Sequence, residues 1–308
     1  SVHSPYYVVF LFLPHDQQHM WWDIRRSFST FRDDNVSFVY MLSSITCSHD
    51  GMSIHAYLTK NDLKNDARIG TALINMYGKY GYPEDARWVF EHMPNHDVIT
   101  WNVMMRVFSQ FGLEKEVFGL FCRMQHNRVN LTRVSFISIL DACGCGTLAE
   151  TGHLVHVCVI NSDISLDVVV NNALISMYVK SNALEDAHRV FVMMIHRNVV
   201  SWTTMMSGYV KCGKGSEAVK LFSQMQQEGI DPDTVTFITI LEACSRRQLQ
   251  TQGMVLHSFM LFHGINSELL IGNAIIHMYA KCGSMKDAIR VFDNMLEKDV
   301  VTWTAVIA

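Results

Sequence analysis

The chain has 308 residues, 49% hydrophobic and 18% charged, enough apolar surface to fold and no compositional sign of disorder. A net charge of −4 and a pI near 6.4 exclude a protein that grips nucleic acid mainly by neutralising phosphates, so any such affinity must come from a local groove. Eight scattered Cys without a CxxC pairing exclude a disulfide framework and a zinc knuckle, and they fit a reducing compartment.

Residues 1–34 open on an apolar run, Tyr6 to Leu13, that is too short to span a bilayer and stops at Pro14. No Lys or Arg precedes it, which argues against a secretory signal, and no membrane association is expected. WWDIRRSF could form a helix, so 1–34 is expected to be a degenerate segment or decayed repeat. The first residue is Ser, and Ala308 falls in mid-pattern, as in a fragment.

From Asn35 onward the chain repeats. Trp101, Trp202 and Trp303 stand 101 residues apart, and the same shift relates Tyr77, Tyr178 and Tyr279, and His55, His156 and His257. Each cycle divides again, because 35 residues separate Trp101 from Phe136 and Phe136 from Asn171, and 31 separate Asn171 from Trp202. Self-similarity at such periods predicts a solenoid of stacked supersecondary units. Phe38 precedes Phe136 by only 98 residues, so the first 35-type unit is three residues short.

Within a unit the apolar positions follow a three-and-four rhythm, as in Leu73, Ile74 and Tyr77 and then Ala86, Val89, Phe90 and Met93. This predicts two helices per unit. Gly81, Gly112, Gly213 and Gly283 recur where a left-handed residue would close the first helix, and Asn182 substitutes tolerably. The second helix should start at Glu84 and Asp85, Glu185 and Asp186, Glu217 and Asp287, where carboxylates favour the positive end of a helix dipole. The expected fold is all-α, an α-solenoid of antiparallel helical hairpins stacked into a right-handed superhelix.

These motifs carry a family resemblance. VVSWTTMMSGYVKCGKGSEAVKLFSQMQQEGIDPD resembles a P-type pentatricopeptide repeat, TVTFITILEACSRRQLQTQGMVLHSFMLFHGINSE an L-type, and LLIGNAIIHMYAKCGSMKDAIRVFDNMLEKD the short S-type, in the order of the plant PLS subclass. The resemblance covers 35–308. It implies units 35–66 (L, shortened), 67–97 (S), 98–132 (P), 133–167 (L), 168–198 (S), 199–233 (P), 234–268 (L), 269–299 (S) and 300–308 (P, truncated).

The family reads single-stranded RNA at about one base per repeat, with two or three side chains each. In P and S units the resemblance assigns base reading to the fifth and last residues, here Thr71 with Asp97, Asn102 with Thr132, Asn172 with Asn198, Thr203 with Asp233, and Asn273 with Asp299. A terminal Asp offers acceptors to the imino N–H of G or U, whereas Asn can donate to a ring nitrogen of A or C. By the family pattern the pairs read G, a pyrimidine, C, G and U, giving 5′-n-G-Y-n-C-G-n-U-3′ with n for each L unit. Val39, Ile137 and Ile238, the fifth residues of the L units, cannot hydrogen-bond a base edge. Second residues Ile99, Val169, Val200 and Leu270 would sandwich bases, and Arg68 could touch phosphate instead. Asp97, Asp233 and Asp299 could equally be plain helix caps, which leaves the Asn residues unexplained.

The recurrent Trp residues read as interlocking core rather than stacking platforms, since Phe136, Phe237 and Phe38 or the small Gly70 and Gly272 hold the same place in other units. His153, His156 and Cys158, with Cys143 and Cys145 nearby, hint at a metal. His156 merely repeats His55 and His257, however, so a structural histidine is the better reading and no metal or cofactor is expected. Cys212 and Cys282, and Cys143 and Cys244, occupy shared positions as small buried residues would.

No catalytic constellation stands out, and the HxE and PCxxC motifs of the family's zinc deaminase domain are absent from the sequence. The resemblance therefore implies a non-enzymatic adaptor for mitochondrial or chloroplast transcripts, supporting RNA processing or C-to-U editing. Its partners would be single-stranded RNA and an editing deaminase or another pentatricopeptide repeat protein in trans. The alternatives are a protein-binding tetratricopeptide-like scaffold, or a fragment of an editing enzyme whose deaminase domain lies beyond residue 308.

Overall fold

The computed structural model describes residues 39–40, 42–43, 48–60, 66–144, 149–245, 249–264 and 269–307, so segment 1–34 and Cys145 lie outside it. Among the described residues every regular element is helical, as the apolar rhythm predicts. They divide into two compact units, 1–111 and 112–308.

In the first unit α1 (Ser48–Lys60) packs on α2 (Ala67–Tyr80), and α2 pairs with α3 (Pro83–His92) and lies along α4 (Val98–Gln110). The second unit runs through α5 (Glu114–His126), α6 (Arg133–Cys143), α7 (Ala149–Ile160), α8 (Val168–Lys180), α9 (Leu184–Met193), α10 (Val199–Lys211), α11 (Gly215–Gln227), α12 (Thr234–Cys244), α13 (Gln250–Phe262), α14 (Leu269–Cys282), α15 (Met285–Asn294) and α16 (Val300–Ile307). Here α6, α8, α10, α12, α14 and α16 touch one another in chain order, while α7, α9, α11, α13 and α15 each pack between the helix before and the helix after. Two rows of helices thus bury between them the faces that no hairpin could bury alone, which is the solenoid solution.

The turns are those expected. Gly81, Gly112, Gly213 and Gly283 have φ of 86°, 66°, 74° and 80°, and Asn182 takes the same left-handed region at 61°. The residue that follows closes the turn: Tyr82, Ala183, Lys214 and Ser284 donate their N–H to the carbonyls of Tyr77, Tyr178, Tyr209 and Tyr279 at 2.8–3.0 Å. The two helix types then start differently. First helices carry a side-chain cap: Asp66, Asp97, Thr132, Asp167, Asn198 and Asp233 each accept from a backbone N–H in the first turn of the helix they precede. Second helices α3, α5, α9, α11, α13 and α15 carry none, and all but α13 have an acidic residue in the first turn instead.

The 101-residue recurrences have packing causes. His156 and His257 meet the phenols of Tyr178 and Tyr279 at 2.9 and 3.0 Å, and within the first unit His55 meets Tyr77 at 2.8 Å. Burial lowers the pKa of His156 and His257 and raises that of Tyr178 to about 12. His153 turns to the same Tyr178 hydroxyl at 3.1 Å, so the His pair is engaged in structure, and among the described residues no group of three His, Cys, Asp or Glu could hold a metal. Trp101 and Trp202 are buried and meet Phe90 and Phe191 edge-on, with ring centroids 4.9 and 4.8 Å apart. Trp303 departs from the expected core role. It makes the same contact with Phe292 at 4.8 Å but is 53% exposed. Cys143, Cys244 and Cys282 are buried as expected, but Cys212 is only half-buried at the Lys211 end of α10.

Some glycines are fixed by space. A Cβ on Gly208 would sit 2.6 Å from Cγ2 of Val179, a β-branched side chain that one rotamer holds in a helix. Gly119, in the middle of α5, faces open space. Gly208→Ala should therefore lower stability by about 1–2 kcal/mol, overpacking outweighing helix propensity. Gly119→Ala should raise it by roughly 1 kcal/mol. Urea melts of both variants test the pair, and equal shifts would refute the packing argument.

Candidate functional site

The residues singled out as fifth and last of a unit lie 26 or more positions apart in sequence, and in four of the five pairs, Thr71–Asp97, Asn172–Asn198, Thr203–Asp233 and Asn273–Asp299, the fold brings them together at the row of first helices. Each terminal residue caps the next helix, Thr132 through its hydroxyl and Asp97, Asn198, Asp233 and Asp299 through Oδ1. Asp233 accepts there from the backbone N–H of Thr236 at 2.8 Å and from its hydroxyl at 2.6 Å, and that hydroxyl stands 2.8 Å from Oγ1 of Thr203. In the first unit Asp97 holds Thr100 through both groups at 2.7 Å, and Thr100 stands 2.7 Å from Thr71. Where the fifth residue is Asn the link is direct, from Asn172 Nδ2 to Asn198 Oδ1 at 3.2 Å and from Asn273 Nδ2 to Asp299 Oδ1 at 3.3 Å. The Thr302 hydroxyl, its backbone N–H and Asn273 hold the Asp299 carboxyl below the usual carboxylate range.

Capping uses one oxygen of each carboxylate. Among the described residues Oδ2 of Asp233 has no partner, and Asp233 is exposed. Likewise the amide of Asn198 spends Oδ1 on Ser201 and Asn172, which leaves Nδ2 facing outward. Asn172 Oδ1 and Asn273 Oδ1 are buried without any hydrogen-bond partner. A buried acceptor left unmatched costs roughly 1–3 kcal/mol, which an incoming donor would offset.

Clefts open beside both Thr–Asp pairs. One of about 340 Å³ in the second unit is lined by Thr203 and Asp233, with Val200 and Val235 as apolar walls and Lys180 and Lys211 at its edge. One of about 270 Å³ in the first unit is lined by Thr71 and Asp97 between Arg68 and Ile99. Ile99, Val169, Val200 and Leu270 are all exposed. The clefts are thus walled by the second residues of consecutive units, a shape suited to a flat ring whose edge meets the polar pair.

Asn102, Asn172 and Asn273 are only 9% exposed, and at Asn172 and Asn273 the amide is drawn against the cap of the next helix. Two expectations are revised. Capping and an open polar edge are not alternatives, since one Asp does both. Arg68 is not free for phosphate alone, because Asp66 holds it in an ion pair of 3.0 Å at the cleft edge. Thr132 caps α6 in a capping box with Ser135 and is half-buried. Sequence reasoning missed Val235 as a wall and the buried hydroxyls of Thr100, Ser201, Thr236 and Thr302. A Ser or Thr three places after Asp97, Thr132, Asn198, Asp233 and Asp299 was the signal available.

Comparison with known proteins places these features. Residues 197–246 match the PPR repeat family, and 71–98, 99–129, 172–199 and 273–300 match the PPR repeat. Among Arabidopsis thaliana proteins, pentatricopeptide repeat-containing protein At4g18520, chloroplastic, is 35% identical over 83% of this chain and 42% of its own length. At1g06140, mitochondrial, is 35% identical over 84% of this chain and 46% of its own. The chain thus spans less than half the length of these relatives. Among solved structures, the pentatricopeptide repeat protein PPR10 in complex with an 18-nt psaJ RNA element superposes with a TM-score of 0.71 at 18% identity, over 97% of this chain and 44% of that one. PPR10 from maize superposes at 0.53 and 17% identity, over 91% and 47%.

Proposed function

The chain belongs to the pentatricopeptide repeat family, and from that premise we propose that it is a sequence-selective adaptor for single-stranded RNA that reads about one base per repeat through its fifth-and-last residue pairs. The observation that carries the reading is the pairs themselves. In four of the five, Thr71–Asp97, Asn172–Asn198, Thr203–Asp233 and Asn273–Asp299, a fifth and a last residue meet across two hairpins; the Asp of each Thr pair caps a helix and stays exposed beside an apolar-walled slot, and Asn172 and Asn273 keep a buried acceptor unmatched. A protein-binding scaffold has no need of an unmatched buried acceptor at the same place in two hairpins, as at Asn172 and Asn273.

The register supports the same reading. First helices α2, α4, α6, α8, α10, α12, α14 and α16 begin at Ala67, Val98, Arg133, Val168, Val199, Thr234, Leu269 and Val300, the first residues of the proposed S, P and L units. Their 35, 35, 31 order is the basis for assigning the PLS subclass, and with it a role in RNA processing or C-to-U editing in a mitochondrion or chloroplast. A deaminase lying beyond residue 308, or supplied in trans with another pentatricopeptide repeat protein, would do the chemistry. The ten paired residues bind, and no bond-making step is assigned to them.

Fluorescence anisotropy tests the proposal. The chain should bind single-stranded 5′-n-G-Y-n-C-G-n-U-3′ at least about tenfold more tightly than a strand with the five read letters exchanged, several mismatches of ~1 kcal/mol each being involved. Because the letters are read by hydrogen bonds at the base edge, the preference should persist as salt rises, while overall affinity falls as the contacts of Lys180 and Lys211 with phosphate are screened. Indistinguishable affinities for the two strands would refute it.

A further inference from the structure

A buried hydroxyl accompanies every polar reader. After each unit whose fifth residue is Thr or Asn, the next helix has Thr or Ser as its third residue: Thr100, Ser135, Ser201, Thr236 and Thr302, all fully buried. After units whose fifth residue is apolar, Val39, Ile137 or Ile238, that place holds Ile69, Val170 or Ile271. Helix capping alone does not require the hydroxyl. Asp66 and Asp167 cap their helices over those apolar residues, through the backbone N–H of Arg68 at 2.8 Å and of Val169 and Val170 at 2.9 and 3.1 Å.

Proton counting shows what the hydroxyl adds. Thr236 has a single hydroxyl proton, and a carboxylate can only accept, so that proton lies on the 2.6 Å line to Asp233 Oδ1. Thr203, 2.8 Å from Thr236 Oγ1, must then be the donor of that second bond. Its own proton is committed, and it faces the slot as an acceptor only. The Thr71–Thr100–Asp97 chain has the same polarity, because the Thr71 proton goes to Thr100 or to the carbonyl of Ala67, each 2.7 Å away. At Asn198 the Ser201 hydroxyl and backbone N–H, both 3.0 Å from Oδ1, fix the amide so that its NH₂ points outward.

We infer that Thr236 and Thr100 are positioning residues that determine specificity by setting the hydrogen-bond polarity of the readers before them. With its hydroxyl proton committed, Thr203 joins Asp233 Oδ2 in presenting two acceptors. Guanine matches them with its N1–H and N2–H₂ donors, whereas adenine brings an acceptor at N1. The inference rests on the base-reading proposal and adds to it a residue that touches no base.

Thr236→Val keeps the shape and removes the hydroxyl, leaving the backbone cap intact. Affinities are measured for two RNAs that differ only in G or A opposite the Thr203–Asp233 pair, using the wild type, Thr236→Val and Thr236→Ser, with thermal melts alongside. The wild-type preference for G, roughly three- to tenfold as one hydrogen bond allows, should fall below about twofold in the Val variant and return in the Ser variant. Thr100→Val should do the same opposite Thr71 and Asp97, so the test survives if one variant fails to fold. A wild-type preference left intact in both Val variants, or an equal loss of affinity for both RNAs, would overturn the inference while sparing base reading. A wild type indifferent to G and A would overturn both.

Discussion

Replacing Trp202 by Ala is expected to destabilise the second unit by about 3–5 kcal/mol, the cost of emptying a core aromatic site. Trp202 is 1% exposed, meets Phe191 edge-on at 4.8 Å and lies under the Arg197 guanidinium, 5.7 Å from its ring. The indole N–H, however, is buried without a partner. Trp202→Phe removes that N–H and keeps an aromatic ring, and Phe136 and Phe237 fill the same place in other hairpins, so its cost should stay under about 1.5 kcal/mol. Because a solenoid is stabilised only between neighbours, Trp202→Ala should also split the urea transition into two steps. A single transition with an unchanged midpoint would show that the ring contributes little.

The second large effect is on specificity. Asp233→Asn should move preference from G to A at one base, by several-fold to about tenfold, near or below the lower end of what a bidentate base contact contributes. Asn caps helices about as well as Asp, so the bonds to Thr236 persist and stability should barely change. What changes is the outer atom, from an acceptor facing N1–H of guanine to an NH₂ able to donate to N1 of adenine. Binding to two RNAs that differ only at that base measures the exchange. Equal affinities before and after the substitution would mean that Asp233 is only a cap.

The sequence made the hairpins and their turns legible because each leaves a periodic trace, whereas the fifth-and-last pairs were named by the resemblance to the repeat family. Gly81, Gly213 and Gly283 mark a left-handed backbone, which few residues tolerate, and Asn182 is the substitute that αL sterics allow. The burial of Asn102, Asn172 and Asn273 left no such trace, because an amide reads as polar whether it faces water or the next cap. The Thr71–Thr100 and Thr203–Thr236 contacts were hidden for a different reason. They join residues 29 and 33 apart, and only the stacking of one hairpin on the next brings them within 2.8 Å.

The shared cap also ties legibility of the message to local melting. The terminal residue of one hairpin is anchored by the first turn of its successor, as Asp233 is by Thr236 at the start of α12. Under the proposed base reading, a hairpin that opens transiently would therefore blur the letter of the hairpin before it as well as its own. Errors in decoding would spread backward along the strand, toward its 5′ side if the strand is read in chain order, and the C-terminal margin of the array would set how faithfully the preceding letter is read.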